Sequence, residues 1–174
     1  EDMGYNKNIK KGSLFLISFV YFQLILGALM RHTASGLAIP DFPTMGGLWF
    51  PTFSESMINN INVELFDMDW GMVSKNQVII HFMHRLGALI VSAFIGYFFY
   101  KNNSVINKNK TLNKTKWLII IVLVLQVILG ALTILTEKAP YVASFHVVNG
   151  AALLGLSILL VLRAHPIQFS KWIK

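Results

Sequence analysis

Four apolar runs, at residues 13–30, 78–100, 117–135 and 142–162, leave this chain few ways to fold. Each is near the roughly 20 residues that an α-helix, rising about 1.5 Å per residue, needs to cross a bilayer core. Hydrocarbon offers no partner for backbone N–H and C=O groups, so such a run closes its hydrogen bonds internally as a helix. The expected fold is an all-α membrane protein. It is a single domain over residues 1–174, built as a bundle of four transmembrane helices with a long connection at 33–74. Composition agrees, with 55% hydrophobic and 13% charged residues and a mean hydropathy of +0.58. Soluble domains lie well away from these values. The chain has no cysteine, which excludes disulfides, thiolate metal sites and thioether-linked haem.

Charge sets an expected orientation. Segment 33–74 carries Asp41, Glu55, Glu64, Asp67 and Asp69 and neither lysine nor arginine. The connection after the second run carries Lys101, Lys108, Lys110, Lys114 and Lys116. Lys7, Lys10 and Lys11 precede the first run, and Arg163, Lys171 and Lys174 follow the last. The positive-inside rule puts the termini and the lysine-rich connection in the cytoplasm and segment 33–74 outside. Tyr100, Trp117, Tyr141 and Trp172 suit interfacial anchors. The net charge of +7 is then a topology signal, and nucleic acid is not an expected partner. Ser74 with Gln77 has the form of a capping box at the start of the second run. Pro140 suits the first turn of the fourth.

Two histidines sit at matching depths in two of these runs, His84 in VIIHFMHRLGALIV and His146 in YVASFHVVNGAALLG. Counted from the expected helix starts, each lies roughly 8–15 Å in, from the same side. An ionisable side chain in a membrane span marks a functional site, and two imidazoles at one depth suit the two axial positions of a haem iron. A single buried histidine hydrogen-bonded to a neighbouring helix is the plainer reading of either alone. An internal repeat supports the pair. QLILGALMRHT (23–33) matches QVILGALTILT (126–136), and each copy leads through a connection to a histidine run. The unit is a helical hairpin used twice. Gly27, Ala28, Gly130 and Ala131 read as close helix packing. Gly87 and Gly150, at i+3 and i+4 from their histidines and on the same face, would leave room for a flat macrocycle.

The residues now resemble a known family, haem A synthase, from residue 23 to about residue 160. The likeness is carried by GALMRHTASGLAIPDFP (27–43), HFMHRLGA (81–88), QVILGALT (126–133) and FHVVNGA (145–151). Its external elements read R-x-T-x-S-G-L and P-D-aromatic-P, followed by a membrane His-Arg. The resemblance implies an eight-helix membrane enzyme of two similar four-helix bundles that oxidises the C8 methyl of haem O to the formyl of haem A. One bundle holds the substrate haem and the other a haem b cofactor, each between two helix histidines. Here only one bundle is present. The chain opens on Glu1, as a trimmed or partial polypeptide would, and is expected to be half of a longer protein or a half-sized form that oligomerises. The catalytic half of the family carries a glutamate three residues before the His-Arg histidine, where this chain has His81. That departure points to the cofactor half. His81 is a candidate acid–base group, or else a second buried histidine beside the haem.

Arg85 and Arg31 are candidate partners for haem propionates, with snorkelling to the interface as the other reading. His32 and His165 sit at membrane edges, the latter just before a helix-ending Pro166, and are not assigned to iron. Residues 39–47 read as a rigid turn region in which Asp41 shapes the turn. Residues 54–66 read as an amphipathic surface helix. Three functions stay open: a haem A synthase bundle with an unnamed electron donor, a bis-histidine cytochrome b that only transfers electrons, or an assembly protein without haem. Segment 33–43, TASGLAIPDFP, separates the first from the second, because electron transfer alone needs no such loop. A bacterial plasma membrane and a mitochondrial inner membrane both fit.

Overall fold

The computed structural model describes residues 7–165. Glu1, Pro166, Lys171, Trp172 and Lys174, invoked above, lie outside them. The elements are α1 (Lys7–His32), α2 (Glu55–Asp67), α3 (Lys75–Lys101), α4 (Asn103–Lys108), α5 (Lys110–Leu135) and α6 (Pro140–Ala164). Among the described residues there is no strand. α1, α3, α5 and α6 are long and apolar enough to cross a membrane, and each contains one of the four runs.

The helices outlast the apolar runs because polar flanks cap and continue them. Ser74 Oγ accepts from Gln77 N–H while Gln77 Oε1 accepts from Ser74 N–H at 2.9 Å, the capping box that opens α3. Asn109 Oδ1 accepts from the N–H groups of Thr111 and Leu112, so α5 begins at Lys110 rather than at Trp117. Pro140 occupies the first turn of α6. The short α4 lies in what the sequence presents as a lysine-rich connection. Its Ile106 is fully buried, and this one apolar anchor holds the turn of helix against the bundle.

α1 packs on α3 and α5 on α6, the two hairpins of the repeat, and α1 with α6 joins them. A slighter α3–α5 contact closes the ring. The histidine helices α3 and α6 therefore stand on one diagonal. The core runs through Leu16, Val20, Ile95, Phe98, Ile119, Leu153 and Leu160. Large apolar side chains such as Phe22, Leu89, Ile121 and Val148 face outward on all four long helices, as lipid-facing surfaces do and soluble surfaces of this extent do not.

α2 follows its expected bounds closely. Ser54 caps it through Met57 N–H, and Met57, Ile61 and Leu65 bury its apolar face on Ala38, Ile39 and Val78. That face is thus covered by the chain's own loop and the start of α3. Asp41 shapes its turn as expected, accepting from Gly46 N–H at 2.6 Å and Gly47 N–H at 2.9 Å. Gly46 has φ +64°, a left-handed conformation that favours glycine, and a Cβ there would also press on the flexible end of Met57. Partial burial works against ionisation of Asp41. Hydrogen bonds from Thr44, Gly47 and Gly46 outweigh it and hold the carboxyl below its ordinary value.

The charge asymmetry generates a topology test. Cysteine placed at Glu55 should react with an impermeant maleimide added from the outer side, whereas cysteine at Lys108 should react only after the membrane is opened. The opposite pattern would invert the orientation.

Candidate functional site

Each hairpin sets a glutamine against its histidine, at Nδ1 of the first ring and Nε2 of the second. In the first, Gln23 of α1 reaches His84 of α3: its Nε2 donates to the His84 carbonyl at 2.9 Å and lies 3.2 Å from Nδ1 of the ring. In the second, Gln126 Nε2 of α5 lies 3.4 Å from His146 Nε2 of α6. One turn along each glutamine helix a glycine makes a notch for the imidazole. A Cβ at Gly27 would stand 3.2 Å from His84 Cε1, and one at Gly130 would stand 3.1 Å from His146 Cε1. These glycines thus do more than bring helices together. They let the Cε1 edge of each ring come close to the neighbouring helix.

Gly87 and Gly150 depart from the expectation of space for a macrocycle. A Cβ at Gly87 would collide with Gln23 Oε1, and one at Gly150 would stand 3.1 Å from Gln126 Nε2. The room they leave is filled by the glutamine amides. Asn149 steadies the second copy, donating to Gln126 Oε1 at 2.8 Å and to the Val122 carbonyl at 2.9 Å. Two buried polar atoms at the centre have no partner, Gln23 Oε1 and His146 Nδ1.

Arg85 also departs from expectation. Its guanidinium donates to the carbonyls of Ile39 (3.1 Å), Asp41 (2.7 Å) and Thr44 (2.9 Å), and its Cζ stands 5.8 Å from the Phe42 ring centre. A charged group in a low-dielectric site needs such partners, and the loop's backbone supplies them where a propionate was expected. His81 is wedged between the same two elements. Its Nε2 lies 3.1 Å from Arg85 Nε and its Nδ1 3.2 Å from the Ile39 amide nitrogen. Both neighbours are donors and a neutral imidazole has one acceptor nitrogen, so only one of these contacts is a hydrogen bond at a time. His81 is thus a buried ring set between Arg85 and the loop. Arg31 and His32 end α1 exposed, and His165 turns back to the Val161 carbonyl. None of the three joins the centre.

Glutamines 23 and 126, which contact the two histidines, are the site residues that sequence reasoning passed over. The signal was present, because both repeat copies open on a glutamine deep within an apolar run.

Residues 2–158 match COX15-CtaA, the family described as cytochrome oxidase assembly protein. The chain belongs to this family. Curated relatives in it include the haem A synthase of Rickettsia bellii (strain OSU 85-389), 32% identical over 146 residues that make up 84% of this chain and 40% of the relative. The haem A synthase of Rickettsia prowazekii (strain Madrid E) is 31% identical over 151 residues, 85% of this chain and 40% of the relative. That of Roseobacter denitrificans is 24% identical over 150 residues, 83% and 36% respectively. The chain thus spans about two fifths of these relatives' length. No solved structure matches it. With its four spans, this COX15-CtaA family member is an integral membrane protein.

The anchoring of residues 39–44 by Arg85 predicts that Arg85→Ala frees the 33–74 loop. Hydrogen bonds to a charged donor contribute roughly 1.5–3 kcal/mol each, so protease cleavage within 33–74 should accelerate about tenfold or more while the spans stay intact. Unchanged cleavage would show that the loop orders itself without this arginine.

Proposed function

We propose that the chain is one four-helix bundle of a haem A synthase, holding haem b between His84 and His146. In this reading it takes part in oxidising the haem O C8 methyl to the formyl of haem A. The observation that carries the proposal is the pair of repeat-related imidazoles on the diagonal helices, each held by a glutamine from its own hairpin.

The residues suit the group. Both donors are imidazoles in apolar surroundings, the set that haem iron takes at its two axial positions. A metal-bound histidine donates its remaining ring N–H in a hydrogen bond to a neighbouring group. Gln23 and Gln126 each stand at one nitrogen of their ring, and His146 Nδ1, buried without a partner, is a ring nitrogen left free for iron. Bound there, haem b supplies one-electron transfer. The chain's own residues do the rest: Gln23 and Gln126 orient the rings, the Gly27 and Gly130 notches fix their planes, and the surrounding apolar side chains exclude water. Arg85 and His81 tie segment 39–44 to the helix that bears His84. A dedicated loop of this kind favours the synthase over a cytochrome that only transfers electrons.

Where the family's catalytic half has a glutamate, His81 here is committed to the loop. This supports assignment as the cofactor half. Activity then requires a second four-helix bundle, either in the same polypeptide or in an associated copy, together with haem O and an electron-transfer partner. The plasma membrane of a bacterium is the matching location.

In purified protein, His84→Ala and His146→Ala should each lose haem or convert it from low to high spin in the reduced and oxidised absorption spectra. His32→Ala and His165→Ala should leave the spectrum intact. If His81→Ala abolished the low-spin signal and His84→Ala spared it, the ligand would sit one turn nearer the start of α3.

A further inference from the structure

The lysine-rich end of the bundle holds a second built site. Lys116, just before Trp117 in α5, is only 4% exposed. Its ammonium donates to Asn107 Oδ1 at 2.6 Å and Asn103 Oδ1 at 3.0 Å and stands 5.0 Å from the Trp117 ring centre. Two amides satisfy two of its three N–H groups but leave its charge uncompensated, whereas a buried charge is ordinarily paired. Among the described residues no carboxylate is available at this end. Asp41, Glu55, Glu64, Asp67, Asp69 and Glu137 all lie in α2 or the connections at the other end. Lys7, Lys10, Lys11, Lys101, Lys108, Lys110, Lys114 and Arg163 share the end with Lys116.

A cleft of about 560 Å³ opens beside the ammonium, with Asn113 on its polar side and Phe99 and Ile120 on its apolar side. Asn113 Oδ1 is buried without a donor. Tyr100 and Trp117, 85% and 55% exposed, also line the cleft. Aromatic side chains of this kind mark the boundary between lipid and water.

We propose that this cleft binds the headgroup of an anionic glycerophospholipid. The phosphodiester pairs with Lys116, a headgroup hydroxyl donates to Asn113 Oδ1, and the acyl chains follow the exposed Gly96 and the half-buried Ile120 along the outer surface of α3 and α5. Charge complementarity selects an anion, since basic sites at the cytoplasmic face attract anionic lipid. The apolar wall and the boundary position select a lipid over a soluble phosphate. The site is independent of the haem reading.

The test uses the full chain in detergent, with native mass spectrometry reading retained lipid. The probes are phosphatidylglycerol, phosphatidylcholine with the same acyl chains, and glycerol 3-phosphate as the soluble headgroup. Phosphatidylglycerol should be retained at least tenfold over phosphatidylcholine, and glycerol 3-phosphate should not be retained. Lys116→Gln should bring phosphatidylglycerol down to the phosphatidylcholine level, while Lys108→Gln, an exposed lysine at the same end, should leave it unchanged. Equal retention of the two lipids would overturn the proposal, as would glycerol 3-phosphate held as firmly as phosphatidylglycerol, or equal losses in the two lysine variants. Should Lys116→Gln fail to fold, Asn113→Leu decides: retention of phosphatidylglycerol should fall severalfold, and unchanged retention overturns the site.

Discussion

An imidazole in the middle of a membrane span must find a polar partner inside the protein, and here each finds a glutamine amide from the adjoining helix. A buried polar group left without one costs roughly 1–3 kcal/mol, so the pairing constrains everything around it. Gln23 can meet His84 only if α1 and α3 approach closely, which Gly27 and Gly87 allow. Gln126, Gly130 and Gly150 repeat the solution for His146. One packing unit used twice yields two equivalent rings, and the contact of α1 with α6 sets them on opposite helices of the ring.

The 33–74 loop is tied into this arrangement rather than added to it. Arg85 follows His84 directly and holds the carbonyls of Ile39, Asp41 and Thr44, while Gln77 donates to the Thr33 carbonyl at 3.0 Å. The far end of the loop touches the second hairpin, where Trp70 Nε1 donates to Glu137 Oε2 at 3.3 Å and Lys138 lies 5.5 Å from the Trp70 ring centre. A movement of the loop would therefore be felt at α3, one residue from the proposed ligand.

Much of this was legible in the sequence wherever one residue carries one strong physical demand. Long apolar runs demand spanning helices, Ser74 with Gln77 demands a helix start, and histidines in hydrocarbon demand partners. What escaped depends on direction. Arg85 reads equally well as a partner for any acceptor, and only the path of residues 39–44 shows that backbone carbonyls take its donors. Gly87 signals space without saying what fills it. The two glutamines were hidden by apolar neighbours that dominate any reading by hydropathy, although the repeat had aligned them. α4 escaped because its asparagines and lysines resemble a loop until Ile106 is seen to be buried.

The central claim is that one chain, through His84 and His146 together, makes one complete haem site. The most direct measurement is the ratio of haem to polypeptide in the purified protein, from a pyridine haemochrome assay set against amino-acid analysis, with the spin state read on the same sample. The account predicts one low-spin haem per chain. One haem for every two chains, or two haems per chain, would contradict it, because either result would mean that the two histidines do not share an iron.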